Sequence, residues 1–160
     1  MKSKNIFNGA TLIDNPPINF NFGRWYTIDP GDNTAICEWI DGKMTDLITI
    51  EKCLSNSPII HIFSSSFVII ENVELWGGSS VSYTSAARGD LFKLAMVVGV
   101  LINNYKKCGC SIYLVSPRKW KGQLNQEQLQ HILSEKFKFK ARNEHEASAY
   151  GIGLWAAGMF

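Results

Sequence analysis

Apolar and polar residues settle into regular periods from Arg24 onward, and the succession of those periods predicts an α/β domain. In Arg24-Trp25-Tyr26-Thr27-Ile28-Asp29 the two-residue period puts Trp25, Thr27 and Asp29 on one face, and Pro30-Gly31 turns the chain at once. Thr34 to Ile40 reads as a second strand, Asp41-Gly42 as a hairpin turn and Met44 to Ile50 as a third strand, an antiparallel meander. Phe67-Val68-Ile69-Ile70-Glu71 is apolar on both faces, as a central strand covered above and below should be. Ser111 to Val115 is a fifth strand of the same character. Tyr83, Ala87, Leu91, Leu94, Val98 and Leu101 recur at three and four, which predicts a long helix capped by Ser79 or Ser80 and ending near Tyr105. Asn125 and Gln128 have capping-box spacing and open a helix with Leu129, Ile132, Leu133 and Phe137 as its buried stripe. The last helix is predicted from about Asn143 to Ala157, whereas residues 51–65 fit either a short helix or an extra strand. The expectation is a five-stranded mixed sheet with helices on both faces.

Residues 1–23 lack a sustained period and are rich in Asn, Gly and Pro, so they read as an irregular arm held by Phe7, Phe20 and Phe22 against a domain spanning residues 24–160. At 160 residues and 46% hydrophobic content, one soluble domain with a real core is expected. A net charge of +2 does not by itself announce a nucleic-acid partner, which leaves the placement of the basic residues to decide. No stretch reaches the roughly 18 apolar residues of a membrane span, and the N-terminus lacks the apolar core of a signal peptide, so a cytoplasmic protein without a membrane partner is expected. Cys37, Cys53, Cys108 and Cys110 read as free thiols, because Cys108-Gly109-Cys110 has neither the gap nor the second pair of a structural zinc site.

Two strands end in acids, at Asp29 and at Glu71. If the Glu71 strand lies parallel beside the Asp29 strand, the spacing of about 5 Å between neighbours brings both carboxylates to one sheet edge, within reach of a shared cation. Such a pair suits Mg²⁺, which takes oxygen ligands, and paired ions of this kind activate water against a phosphodiester. On the last helix His145, Ser148, Ala149 and Ile152 share a face, while Glu146 is expected to point to solvent.

The order of elements resembles the ribonuclease H-like superfamily, and its motifs resemble those of RuvC-type Holliday junction resolvases, in particular the shorter bacteriophage forms. Four motifs carry the resemblance from about Arg24 to Ala157: Ile28-Asp29-Pro30-Gly31, Ile70-Glu71-Asn72-Val73, Ala87-Arg88-Gly89 and Pro117 to Gly122 as P-x-x-W-K-G. The last family motif is His or Asp, two residues, then Asp-Ala; here it reads His145-Glu146-Ala147-Ser148-Ala149, with Ser148 where a metal-binding carboxylate is expected. A second register would pair Glu146 with Ala147, but it turns Glu146 away from the Ala149 and Ile152 face.

The resemblance implies a Mg²⁺-dependent endodeoxyribonuclease, with Mn²⁺ as a substitute, that resolves four-way DNA junctions in recombination by paired symmetric nicks. It implies Asp29, Glu71 and His145 as metal ligands, with Ser148 and Lys121 completing the catalytic set. It further implies a homodimer using the long helix, and a host-cell cytoplasmic location if the protein is phage-encoded. The neutral Ser148 hydroxyl is a poor Mg²⁺ ligand, so weak metal binding and impaired cleavage are expected. A second family lysine falls at Gln126. Arg118, Lys119, Lys121, Lys138 and Lys140 are the expected DNA contacts, joined in a basic rim by Lys136 and Arg142, and Trp120 reads either as a ring that stacks on a base or as a core ring. The family's aromatic wedge site holds Glu74, with Trp76 the nearest ring. Two other readings stand beside this one: a different ribonuclease H-like nuclease, and a module that binds branched DNA without cutting it.

Overall fold

A computed structural model of the chain describes residues 9–16, 23–54, 66–73 and 89–160. Its strands are β1 (Ala10–Ile13), β2 (Arg24–Asp29), β3 (Asn33–Ile40), β4 (Lys43–Glu51), β5 (Phe67–Glu71) and β6 (Ser111–Val115). The helices are α1 (Asp90–Lys107), α2 (Pro117–Trp120), α3 (Gln126–Phe137) and α4 (Glu144–Ala156). They build an α/β fold on one mixed sheet with strand order β1-β6-β5-β2-β3-β4.

The meander is as expected: β2 runs antiparallel to β3 and β3 to β4, joined at Asp41-Gly42, where both residues take positive φ. β5 lies parallel to both β2 and β6, so the doubly apolar strand is central. The sheet has six strands among the described residues, not five. Ala10–Ile13, inside the segment expected to be an irregular arm, pairs in parallel with β6 through Ala10↔Ile112 to Ile13↔Val115. Four residues are too few to display a period, and the free edge of β6 supplies the partner that makes them a strand.

Alternation along the strands divides the core into two layers. Tyr26, Ile28, Ile36, Val68 and Ile70 face α1, where Val97, Val98, Leu101 and Ile102 cover them. Trp25, Ala35, Cys37, Trp39 and Ile69 face the other way, onto α3 and α4. Helix α1 begins at Asp90, after Gly89 in the left-handed region; the expected caps Ser79 and Ser80, the Ala87-Arg88 part of its motif, and Glu74 and Trp76 lie outside the described residues. The ambiguous 51–65 segment is described only to Leu54, as a turn. Asn125 caps α3 with the full capping box, and Asn143 caps α4 through the Glu146 N–H. All four cysteines are free thiols. Among the described residues no helix is long and apolar enough to cross a membrane.

Helix α4 is buried nearly all round, because it lies between the sheet and α3. Its small residues are what allow this. A Cβ on Gly153 would run into the Trp39 indole, and one on Gly151 would come 2.6 Å from Trp120 Cζ3. Gly153→Ala is therefore expected to destabilise the protein by about 2 kcal/mol or more, although the same change in an open helix stabilises by about 1 kcal/mol. Urea denaturation of the two proteins reads the sign directly.

Candidate active site at the ends of strands β2 and β5

Asp29 and Glu71 are the last residues of two adjacent parallel strands whose register, Ile28↔Ile70, brings them level. Asp29 shares parity with Trp25, and Glu71 with Ile69, so both carboxylates stand on the α4 face. Ligand sites in parallel sheets form at this carboxyl end.

What brings α4 to Asp29 is Thr27. Its hydroxyl donates to the Ala149 carbonyl at 2.7 Å and accepts from Trp39 Nε1 at 3.0 Å, fastening the helix to β2 at one point. Two residues along the strand is about 6.6 Å and four back along the helix about 6 Å, so His145 falls over Asp29. His145 Nδ1–H donates to Asp29 Oδ2 at 3.0 Å. The ring sits so close to the β2–β3 turn that a Cβ on Gly31 would lie 2.8 Å from His145 Cε1.

Glu71 is held from the other side. Trp120 Nε1–H donates to Glu71 Oε2 at 2.8 Å, and the Lys121 ammonium lies 5.1 Å over the Trp120 ring. The indole is buried against α4 and Phe160, so its faces are not open to a base. The core-ring reading of Trp120 is the correct one, and its expected role as a direct DNA contact is withdrawn: the W-K pair orients one carboxylate and one cation.

Burial raises the pKa of Asp29, opposed by its hydrogen bond from His145 and by the Lys121 charge. Burial also raises that of Glu71, reinforced by the Asp29 charge and opposed by Lys121 and the Trp120 hydrogen bond. The bond to Asp29 raises the pKa of His145 against the effect of burial. Trp120→Phe, which keeps the ring and removes the donor, is expected to push the Glu71 pKa up by about one further unit, the worth of one hydrogen bond to a charged group. Carboxyl ¹³C NMR titration measures it.

A buried and a half-buried carboxylate that resist ionisation side by side fit a hard divalent cation, which relieves both desolvation and repulsion. His145 spends Nδ1 on Asp29, and among the described residues no three His, Cys, Asp or Glu side chains are grouped to hold an ion. Asp29 and Glu71 are the pair that would hold one. Ser148 is buried on α4, three residues after His145.

The basic residues are dispersed. Arg118 and Lys121, with Gly122, Gln123 and Leu124, line an open cavity of about 560 Å³. Lys119 pairs with Asp14 at 3.2 Å, and the Lys136 ammonium lies 5.1 Å over the Phe137 ring. Lys138 and Lys140 are exposed beyond the far end of α3, about 18 Å along the helix from Gln126, whose side chain donates to the Glu144 carbonyl at 3.0 Å. Arg142 is not a free rim charge, because its guanidinium is tied to Glu146. Glu146 itself, expected in solvent, is buried with its side chain 1% exposed. The helical period, counted from the Ala149 and Ile152 side, assigned it to solvent; the sheet extends past that side to β4, whose Thr49, paired with Ala35, faces α4 and takes the Glu146 carboxylate.

Of the residues expected at the site, the structure gathers Asp29, Glu71, His145 and Lys121. It adds Thr27 and Trp120 as the groups that aim them. Thr27 was legible as a neighbour of Asp29 on one strand face; no local signal marks Trp120 as a partner of Glu71. No family model matches the chain, and a comparison with curated proteins returns no match.

Proposed function

We propose that the protein is a ribonuclease H-like, Mg²⁺-dependent endodeoxyribonuclease for four-way DNA junctions, impaired by Ser148. The observation that carries this reading is the level pair of carboxylates, buried Asp29 and half-buried Glu71, on adjacent parallel strand ends beside Lys121. The strand order β6-β5-β2-β3-β4 around them, with β3 and β4 antiparallel, agrees with it.

Asp29 and Glu71 would hold a divalent ion, whose chemistry there would be Lewis-acid polarisation of a phosphodiester and activation of a water. The chain's own residues do the rest. Trp120 fixes the Glu71 carboxylate, and Lys121 offers its charge to a phosphate oxygen as charge develops there. His145 holds Asp29 and keeps that side of the site closed by lying against Gly31. Arg118, beside Lys121 in the open cavity, meets the backbone on the way in.

Paired nicks need two sites in fixed relation, and a two-fold dimer provides them. Helix α1 supplies a face for it: Phe92 is 71% exposed and Met96 47%, and no described residue lies within 4 Å of a Cβ placed on Gly99. Sedimentation of the full chain reads the dimer.

The second reading, a module that binds branched DNA without cutting, is favoured by one observation, the neutral Ser148 in the α4 face beside His145. Binding and cleavage of a four-way junction, a flap, an RNA–DNA hybrid and linear duplex, with Mg²⁺ and with chelator, separate the readings. Junction selectivity with Mg²⁺-dependent nicking, however slow, supports the nuclease. Selective binding without any nicking supports the module, and equal binding to linear duplex removes both.

A further inference from the structure

We propose that Glu146 is a positioning residue: its buried carboxylate, clamped between β4 and the linker before α4, holds the neighbouring His145 ring on Asp29.

The carboxylate is fully engaged. Oε1 accepts from Thr49 Oγ1 at 2.9 Å and from Arg142 Nε at 2.8 Å, and the Arg142 Nη2 also reaches it. Oε2 accepts from the Arg142 backbone N–H at 2.8 Å. The Glu146 backbone N–H donates to Asn143 Oδ1 at 2.9 Å, so the residue is held through main chain and side chain together. Three segments meet on one side chain: the edge strand β4, the linker ending at Asn143, and the first turn of α4.

Packing does not require a carboxylate there. The Arg142 side chain is 72% exposed and can turn to water when its partner is removed, so leucine at 146 can fill the gap between α4 and β4 without stranding a buried charge. What hydrogen bonds add is direction. His145 is the second residue of α4, in the turn where helix N–H groups lack intrahelical partners and fraying begins. The place it must hold is narrow, with Asp29 Oδ2 3.0 Å from Nδ1 on one side and the Gly31 backbone against Cε1 on the other. Thr27 fixes the helix one turn further on, at Ala149, and leaves the first turn to pivot. Glu146 closes that freedom from the β4 edge of the sheet. The structural claim stands on these contacts alone; its consequence for cleavage rests on the nuclease reading.

The test is the nuclear Overhauser contact between His145 Hε1 and the Gly31 Hα protons in the full chain. Glu146→Leu is expected to fold, with a melting temperature within a few degrees of the parent, and to lose most of that cross-peak. Thr49→Val and Arg142→Met, which each remove one arm of the clamp, should weaken it partially, and they decide the matter if Glu146→Leu does not fold. In a Ser148→Asp background, Glu146→Leu should slow junction nicking about 10- to 100-fold, the usual cost of losing an outer partner, with junction affinity unchanged. A cross-peak of full strength in Glu146→Leu, or in both arm variants if Glu146→Leu does not fold, overturns the proposal whatever the activity. A weakened cross-peak with no nicking by any variant leaves the positioning role standing and removes the nuclease reading instead.

Discussion

Ser148→Asp is expected to raise Mg²⁺-dependent nicking of four-way junctions by about 100-fold or more over the sequence as it stands. A metal ion acting as a Lewis acid is worth several kcal/mol of transition-state stabilisation, and each 1.4 kcal/mol is about tenfold in rate. The parent offers that ion two carboxylates, an imidazole already bonded to one of them, and a neutral hydroxyl one turn along α4. An aspartate at 148 makes the ligand set anionic enough to retain the ion. The same substitution has a second, independent signature. A further buried carboxylate near Asp29 and Glu71 destabilises the metal-free protein, so the variant should melt below the parent in chelator and gain more from Mg²⁺. Thermal melts with and without the ion read this without any DNA. If Ser148→Asp shows neither nicking nor an enlarged Mg²⁺ shift, the metal reading of Asp29 and Glu71 is wrong.

Glu71→Gln is expected to act in opposite directions on stability and on function. The variant keeps an acceptor for Trp120 Nε1–H while removing a charge that burial and Asp29 both disfavour, so it should melt a few degrees higher. In the Ser148→Asp background it should cost at least about 100-fold in nicking, since one of the two carboxylates that retain the ion is gone. The pH dependence follows in sign. Glu71 binds its proton more tightly in the folded protein than its ordinary value of 4.5 allows, so the folded state holds more protons above that pH. Its contribution to stability is present below the ordinary carboxylate value and is lost as pH rises through the raised one. Denaturation of the parent at pH 5 and pH 8 should show that loss, and Glu71→Gln should flatten it. A steeper slope in the variant would contradict the assignment.

Local pattern was enough for the elements whose partners lie nearby. The β2–β3–β4 meander follows from alternation and Asp41-Gly42, the α3 cap from Asn125 and Gln128, and the last helix from its start at Asn143. Parity alone put Trp25, Thr27 and Asp29 on one strand face, and the doubly apolar β5 was recognisable as central. The pairing of Asp29 with Glu71 was within reach of the sequence too, once the two strands were taken as parallel neighbours.

Only the tertiary structure decided what each side chain at the site does, because those roles depend on contacts between residues far apart in the chain. Ala10–Ile13 became a strand because β6 had an edge to offer. Trp120 left the list of base contacts because Glu71, 49 positions earlier, takes its N–H. Glu146 left the solvent because Thr49, 97 positions earlier on the edge strand, covers a helix face that a periodicity centred on Ala149 and Ile152 assigns to water. A hydrophobic period records which side of an element is apolar. It carries no information about a buried polar partner, whose position is set when the sheet, α4 and the linker close on one another.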